Sequence, residues 1–332
     1  MRRAIAENQG AGVSPAPILD EAATVAGRTA IRADTVELSL RSPRIAAAAR
    51  PGQFVDVLLP GPGFGYRVAE GEEAWRDLPR LRRPFLIRRP FSIYRAHASD
   101  RGADRDTIDL LVKVVGVGTR ALAQLEVGAG VKVLGPLGNG FSLPPAGAPA
   151  ALVAGGCGWA SLAMLARELR RRGHPTYAFI GAATVEALPV ATCEAKARPA
   201  LFRDELPEAC VTSDELESLG VTVALAAEAG GRVYGGLVTD LLEKFLRGEH
   251  GRGAHVYACG PWGMLRRVAD LAERSGAPCQ VALEERMGCG IGVCNSCVVE
   301  VFLPSGEVGH KKLCADGPVL DAAEVNWDQN RG

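Results

Sequence analysis

Four of the nine cysteines stand close together near the C-terminus, with a spacing that could hold a metal cluster. They are Cys289, Cys294, Cys297 and Cys314. Four residues separate the first two, two separate the second from the third, and sixteen precede the fourth. This C-x4-C-x2-C…C pattern is typical of a plant-type [2Fe–2S] cluster. The glycines at 288, 290 and 292 can adopt positive φ and let backbone N–H groups approach the cluster sulfurs.

Two other uses of clustered cysteines are weighed against this one. A structural zinc site also takes four thiolates, but it usually consists of two CxxC pairs, and here only Cys294 and Cys297 form such a pair. A disulfide framework is typical of small secreted domains and does not suit a chain of 332 residues. The spacing therefore favours iron and sulfur, with zinc as the alternative. The scattered Cys193, Cys210 and Cys279 are expected to be inert.

Two glycine turns in the second half of the chain could bind a nucleotide. In "ALVAGGCGWASLAMLAREL" an apolar strand is followed by Gly155, Gly156 and Gly158 and then by a helix. Such a helix start offers N–H groups and a positive dipole to a pyrophosphate, although a tight turn in any α/β unit looks similar. A second turn, "YACGPWGML", follows a later strand. It contains Cys259, Gly260 and Pro261.

The first half of the chain contains two further candidates for phosphate binding. In "LIRRPFSIYRA" Arg89 begins a predicted strand, where a fixed guanidinium can bind phosphate through two hydrogen bonds; a solvated charge pair is the alternative. In "LLVKVVGVGTRAL" Gly116 and Gly118 open a turn, and Thr119 is expected to be the N-cap of the next helix. Together they suggest a dinucleotide lying across one face of a barrel.

These candidates need three structural units to position them. Short β-type runs such as "TVELSL" and "QFVDVLL" predict an antiparallel β-barrel over residues 19–148, after a loose tail over 1–18. Alternating strands and helices over 149–284 predict a parallel α/β sheet covered on both faces. Residues 285–332 form the cysteine module, with a hairpin between Cys297 and Cys314. Residues 61–83 and 184–212 fit neither pattern and are interpreted as insertions.

The composition excludes several classes of protein. Lys and Arg together number 38 and so do Asp and Glu, so neither nucleic acid nor an anionic membrane is indicated as a partner. Aromatic residues make up 5% of the chain, which argues against stacking on single-stranded nucleic acid. No secretory signal and no apolar run of transmembrane length is seen. A cytoplasmic protein is expected.

With these motifs in order, the sequence resembles the electron-transfer subunits of NAD-linked bacterial dihydroorotate dehydrogenases, within the ferredoxin–NADP⁺ reductase superfamily. The resemblance is carried by "RRPFSI", "VVGVGT", "GPLGNGF", "AGGCG", "GLVTDLL", "YACGP", "MGCGIGVCNSC" and "CADGPV", from Arg88 to Val319. It implies a barrel that binds FAD, an α/β domain that binds NAD(H), and a C-terminal [2Fe–2S] module.

The resemblance also implies the site residues. FAD would be bound by Arg89, Pro90, Phe91, Ser92, Leu111, Val112, Lys113, Gly118 and Thr119. NAD(H) would be bound by Gly155, Gly156, Gly158, Cys259, Gly260 and Pro261. The cluster would be ligated by Cys289, Cys294, Cys297 and Cys314. Arg89 would bind phosphate and Ser92 would lie near the reactive edge of the flavin. No acid–base residue or nucleophile is required, and Glu284 and Glu285 are interpreted as local charges or partner contacts.

In such a family, electrons from dihydroorotate pass from FMN in a partner subunit through the cluster and FAD to NAD⁺. The implied partner is a TIM-barrel catalytic subunit, in a heterotetramer of two plus two. No arginine directly follows "FIGAAT", which favours NADH over NADPH. One alternative is a diaphorase subunit of a sulfide dehydrogenase, a ferredoxin–NADP⁺ reductase or a hydrogenase. A second is a zinc-stabilised nucleotide-binding regulator without electron transfer.

Overall fold

The computed structural model describes residues 17–58, 88–98 and 106–329. The predicted tail over residues 1–18 lies almost wholly outside these ranges, and the predicted insertion over 61–83 lies entirely outside them. Three units follow one another along the described chain: a closed barrel, a seven-stranded sheet with helices, and a C-terminal hairpin module.

The barrel is closed by six antiparallel strands in the order β1-β2-β5-β4-β3-β6. Its strands are β1 (Leu19–Arg32), β2 (Thr35–Arg41), β3 (Phe54–Leu58), β4 (Arg88–His97), β5 (Thr107–Lys113) and β6 (Gly130–Leu137). Its helices are α1 (Pro43–Ala48) and α2 (Val117–Ala123). Side chains of a strand alternate between its two faces, so Val55 and Val57 of β3 point into the barrel core while Phe54 and Asp56 point out of it. The outer face of β3 is therefore free to contact the rest of the molecule.

The second unit is a mixed sheet in the order β12-β11-β8-β7-β13-β14-β17. Its strands are β7 (Ala150–Gly155), β8 (Thr176–Ala182), β11 (Thr222–Ala227), β12 (Tyr234–Gly235), β13 (His255–Cys259), β14 (Cys279–Ala282) and β17 (Val319–Asp321). The first six are parallel, and β17 pairs antiparallel with β14. The strand order reverses at β7, which pairs with β8 on one side and β13 on the other. Ligands of open α/β sheets bind at the carboxyl ends of strands at such a reversal.

Helices cover both faces of this sheet. They are α3 (Trp159–Arg171), α4 (Asp214–Ser218), α5 (Val238–Arg247) and α6 (Trp262–Ser275). Leu162, Leu165 and Leu169 recur on one side of α3 and are fully buried, because a helix brings residues three and four apart onto one face. This side belongs to one hydrophobic cluster with the sheet, whereas α5 and α6 belong to the cluster on the other face.

The C-terminal module is a hairpin of β15 (Val298–Phe302) and β16 (Val308–Lys312). Its turn contains Gly306 at φ 87°, so the predicted hairpin between Cys297 and Cys314 is confirmed. The strand β17 lies within the predicted module of residues 285–332 but joins the edge of the α/β sheet, so this part of the segment belongs to the sheet. The predicted fold class, an antiparallel barrel followed by an α/β domain and a small cluster module, is confirmed.

The predicted insertion over residues 184–212 is mostly irregular. It contains two short 3₁₀ turns and the two-residue strands β9 (Cys193–Glu194) and β10 (Val211–Thr212). Arg32 of the barrel donates hydrogen bonds to the carbonyl oxygens of Leu188 and Val190, at 3.1 and 2.7 Å, and to the hydroxyl of Thr192 at 3.0 Å. The insertion is thereby attached to the barrel.

A second attachment joins the barrel to the helices of the α/β domain. Arg95 of β4 pairs with Glu37 of β2 at 2.7 Å and with Glu215 of α4 at 2.6 Å, and its side chain is only 12% exposed. Arg167 of α3 pairs with the same Glu215 at 2.6 Å. A partly buried network of this kind is screened less by salt than a surface pair, so it stabilises one relative orientation of the two domains. None of the described helices is both long enough and apolar enough to cross a bilayer.

Candidate functional site

The four predicted cluster cysteines lie in one loop system and form two pairs. The Sγ atoms of Cys297 and Cys314 are 3.3 Å apart, and both residues are buried. In the other pair, the Sγ atom of Cys289 accepts a hydrogen bond from the backbone N–H of Cys294 at 3.4 Å. Within the described ranges no three histidine, cysteine or carboxylate side chains are grouped to hold one metal ion. Two pairs of thiols are the arrangement that two irons with four cysteine ligands require.

Backbone N–H groups of the loop point at these sulfurs. Gly292 donates to the Sγ atom of Cys314 at 3.1 Å, and Val293 donates to the Sγ atom of Cys289 at 3.3 Å. Gly290 and Gly292 have φ of 70° and 82°, and residues other than glycine rarely adopt such values. Such N–H donors stabilise negative charge on thiolates and on a cluster that they ligate. The donor set therefore fits a [2Fe–2S] cluster.

Cys294 of one pair and Cys314 of the other differ in how readily their thiols lose a proton. A hydrogen bond from Ser296 lowers the pKa of Cys294 to about 6, with smaller contributions from backbone groups and Cys289. Burial, by contrast, raises the pKa of Cys314 to about 12, and the neighbouring Cys297 raises it further. Cys294 can thus be a thiolate near neutral pH, whereas Cys314 requires a bound cation to remove its proton.

The two predicted nucleotide turns interlock at the carboxyl ends of β7 and β13. A Cβ atom added to Gly158 would lie 2.2 Å from the carbonyl oxygen of Cys259, and one added to Gly155 would lie 2.6 Å from Pro261 Cδ. Gly260, at φ 155°, has room for no side chain either, because its Cβ would lie 2.8 Å from the backbone nitrogen of Gly155. The glycines are therefore required by close backbone approach as well as by turn geometry.

A chain of hydrogen bonds joins this edge of the sheet to the barrel. The hydroxyls of Ser92 on β4 and Ser161 on α3 are 2.7 Å apart. The thiol of Cys259 donates to the hydroxyl of Ser161 at 3.4 Å, and the carboxylate of Glu284 lies 3.9 Å from the same sulfur. Burial raises the pKa of Cys259 well above its usual range, so this residue stays a protonated donor. Glu284, which was predicted to be a local charge or partner contact, is exposed as a residue, but its carboxylate lies beside the buried Cys259, and desolvation there raises the pKa of Glu284.

The side chains of the predicted flavin-binding residues differ in their exposure to solvent. Arg89 is exposed on β4, while the side chain of Val112 packs into the barrel core, so that only its backbone can contact a ligand. The prediction that Thr119 is a helix N-cap is wrong: the N-cap of α2 is Gly116, three residues earlier, and the helix begins at Val117. The hydroxyl of Thr119 instead accepts hydrogen bonds from the N–H groups of Val115 and Gly116, at 3.0 and 3.1 Å. Thr119 is the third residue of α2, and its hydroxyl stabilises the start of the helix as the N3 side chain of a capping box does.

The chain is similar to proteins of known function. Residues 284–326 match the model of the iron-sulfur cluster binding domain of dihydroorotate dehydrogenase B. A relative from Bacillus caldolyticus, named dihydroorotate dehydrogenase B (NAD(+)), electron transfer subunit, is 36% identical over 309 residues, which is 92% of this chain and 98% of the relative. A relative of the same name from Desulforamulus reducens is 31% identical over 295 residues, or 89% and 94% of the two chains. This chain belongs to the family of dihydroorotate dehydrogenase B electron transfer subunits.

Solved structures agree with the family assignment. The structure of an NADH-dependent reduced ferredoxin-NADP oxidoreductase matches this chain with a TM-score of 0.68 and 25% sequence identity. The match covers 92% of this chain and 90% of the chain in that structure. A cytochrome P450 reductase of Amycolatopsis has a TM-score of 0.55 and 25% identity, with coverage of 80% and 69%. The predicted membership of the electron transfer subunit family and the predicted oxidoreductase class are confirmed.

Sequence reasoning missed one polar residue of this chain. Ser161 is the third residue of α3 and is only 3% exposed, in a helix whose neighbouring residues are apolar. It bridges Ser92, a predicted flavin residue, and Cys259, a predicted NAD(H) residue. A hydroxyl in an otherwise apolar helical run was the available signal, because a buried hydroxyl needs a hydrogen-bond partner.

Replacing Ser161 with alanine in this electron transfer subunit is expected to slow flavin reduction by NADH about fivefold, because a neutral hydrogen bond is worth about 1 kcal/mol. Stopped-flow absorbance at saturating NADH measures the rate, and its dependence on NADH concentration measures the dissociation constant. Ser42→Ala, which removes a fully buried hydroxyl at the N-cap of α1, is the control. An unchanged rate in Ser161→Ala, or an equal loss in Ser42→Ala, would contradict a role for Ser161 in orienting the two sites.

Proposed function

We propose that this chain carries electrons between a catalytic partner subunit that oxidises dihydroorotate and NAD⁺. FAD, a [2Fe–2S] cluster and NAD(H), which were predicted as its cofactors, agree with the family and with the donor sets described above. The barrel over residues 19–148 holds FAD, residues 149–284 hold NAD(H), and residues 285–332 hold the cluster. When bound, FAD exchanges a hydride with the nicotinamide and single electrons with the cluster.

One observation supports this order of cofactors more than any other: the β3–β4 pair of the barrel contacts both of the other units. On β4, Ser92 contacts Ser161 beside the nicotinamide turn at 2.7 Å. On β3, Asp56 contacts the cluster loop at Gly290, where an added Cβ would lie 2.0 Å from Asp56 Oδ2. A flavin bound on this face of the barrel would lie between the turns proposed for NAD(H) and the loop proposed for the cluster.

The residues of the chain bind and orient, and none of them needs to act as a nucleophile. Arg89 binds phosphate of FAD, while the backbone at Gly118 and Thr119 binds its pyrophosphate. The interlocked turns at Gly155–Gly158 and Cys259–Pro261 hold NAD(H) at the reversal of the sheet. Ser92, kept in place by Ser161, presents its hydroxyl to the flavin edge. The pairs Cys289 with Cys294 and Cys297 with Cys314 would supply the four thiolate ligands of the cluster.

The electron transfer subunits of this family work with a catalytic subunit. We propose that the partner is a TIM-barrel protein containing FMN, in a heterotetramer of two plus two in the cytoplasm. Ile291 and Val293 support docking at the cluster loop, since these apolar side chains are 47% and 73% exposed beside the cluster cysteines. NADH is favoured over NADPH because Ala183 and Thr184, which follow β8, offer no cation to a 2′-phosphate.

Native purification under anaerobic conditions tests the function. The protein is expected to be brown, to contain about two irons per chain and one flavin, and to give the electron paramagnetic resonance signal of a reduced two-iron cluster after dithionite. NADH is expected to bleach the flavin band. An affinity pull-down is expected to recover a subunit that reduces this chain when dihydroorotate is added.

Two outcomes would overturn this function. A colourless protein that contains zinc would favour the nucleotide-binding regulator. A flavin- and iron-containing protein that co-purifies with a sulfide dehydrogenase, ferredoxin–NADP⁺ reductase or hydrogenase subunit, and gains no electrons from dihydroorotate, would favour the diaphorase alternative.

A further inference from the structure

A buried carboxylate lies where the barrel meets the cluster loop. Asp56 occupies the middle of β3 and is only 2% exposed. Its Oδ1 atom accepts no hydrogen bond from any part of the chain that the structure describes. Leaving a buried charge without a hydrogen-bond partner is costly. An aspartate in this position therefore calls for a functional explanation.

The register of the barrel places Asp56 on the face proposed for the flavin. Along β3, Val55 and Val57 are in the barrel core, so Phe54 and Asp56 face outward. Across the ladder, Asp56 is opposite Pro90 and Phe54 is opposite Ser92. Phe54 shares its hydrophobic cluster with Cys297 and Cys314. The outward face of β3 thus lies between the flavin strand and the cluster module.

The carboxylate is in contact with the cluster loop itself. Gly290, the residue after Cys289, is buried, and a Cβ on it would lie 2.0 Å from Asp56 Oδ2 and 3.3 Å from a methyl group of Leu137. The absence of a side chain at position 290 is what lets Asp56 approach the loop so closely.

No described cation forms an ion pair with the carboxylate of Asp56. Arg88 on β4 acts electrostatically on this carboxylate, but its guanidinium pairs with Asp20 at 2.9 Å and donates to the backbone carbonyl of Asp56 at 3.3 Å. Burial raises the pKa of Asp56 to about 6, and Arg88 opposes that shift. Above pH 7 the group is therefore mostly an anion in a region of low dielectric, where charges act strongly on one another.

We propose that Asp56 sets the reduction potential of the cluster, and that its charge favours transfer of each electron from the cluster to the flavin. This inference rests on the proposed function. Reduction adds one negative charge to the cluster, and a carboxylate packed against the ligand loop makes that charge less favourable. The reduced cluster is then a stronger donor toward FAD, which is held on the same pair of strands. Asp56 acts through the field at the loop and ligates no iron.

The test is a redox titration of the purified chain at pH 8, followed by electron paramagnetic resonance. In Asp56→Asn the ratio of reduced to oxidised cluster at a fixed potential is expected to rise about tenfold. For a one-electron couple this corresponds to an increase of about 59 mV in the reduction potential. Asp56→Ser, which also removes the charge, is expected to shift the ratio in the same direction. Arg88→Gln removes the positive charge that acts on Asp56 and is expected to lower the ratio.

Asp109→Asn is the matched control. Asp109 is a buried carboxylate of the same barrel, 3% exposed, whose oxygens bind Ser39 and His97 at 2.6 and 2.9 Å. Its substitution is expected to change the ratio less than about twofold, because its charge is already compensated by its partners. If both Asp56 variants contain the cluster and titrate like the wild type, or if Asp109→Asn shifts the ratio equally, the proposal is overturned. If the wild type itself gives no two-iron signal, the proposed function fails first.

Discussion

Replacing Cys297 with serine is expected to abolish the two-iron signal and to reduce electron transfer from the partner subunit to background. Cys297 is 2% exposed, and its sulfur is 3.3 Å from that of Cys314. A serine hydroxyl is a poor substitute for a thiolate ligand of iron, so one pair of the predicted ligands is broken. NADH oxidation by an artificial acceptor through FAD is expected to stay within about twofold of wild type, because that route does not use the cluster.

A control variant and measurements of cofactor content make this prediction specific to the cluster. Cys210→Ser changes a similarly buried thiol, 3% exposed, outside the cluster module, and should leave iron content, signal and both activities unchanged. Iron and flavin contents are measured on the same preparations of both variants. Loss of flavin together with the cluster in Cys297→Ser would show that the barrel and the cysteine module do not bind their cofactors independently.

Alanine at position 158 is expected to destabilise the α/β domain by about 1–3 kcal/mol, the range typical of overpacked cores. The new Cβ would lie 2.2 Å from the carbonyl oxygen of Cys259 and 2.8 Å from the nitrogen of Gly260, and these backbone atoms cannot rotate away as a side chain can. The turns after β7 and β13 would move apart. Because 1.4 kcal/mol is a factor of ten in affinity, NADH binding is expected to weaken about tenfold or more.

Urea denaturation measures the free energy of unfolding of this variant, and NADH titration of the flavin fluorescence measures its affinity. Gly263→Ala is the matched control, since a Cβ at that position in α6 meets no atom within 4 Å. Alanine in a helix is favoured over glycine by about 1 kcal/mol, so the control should be as stable as wild type or more stable. Wild-type stability and NADH affinity in Gly158→Ala would mean that the two turns do not interlock as described.

Two elements of the barrel, strand β1 and the start of helix α2, were not predicted correctly from the sequence. Strand β1 was not predicted, because its alternation is weak: few of its residues are buried, Ala23 and Val25 among them, and the strand is held by pairing with β2 and β6. The start of α2 was placed wrongly because a threonine near a helix start resembles an N-cap, whereas here the cap is Gly116. Local signals of this kind lose to tertiary pairing, which decides where a short element begins.

The sequence by itself determined the kinds of chemistry this protein can carry. The spacing of Cys289, Cys294 and Cys297 and the glycine turns at 155–158 and 259–261 are local features, because a loop around a cluster or a turn beside a phosphate is built from neighbouring residues. Strand and helix periodicity determined the order of barrel, α/β domain and module for the same reason.

Only the tertiary structure decided which of these residues meet. Ser161 reaches Ser92 across a domain boundary, Asp56 of the barrel contacts Gly290 of the cluster loop, and β17 joins the sheet beside β14. These contacts join residues that are 37 to 234 positions apart in the chain. No local pattern encodes such pairs, because they arise from how whole faces of strands and helices pack, and packing depends on all the side chains at once.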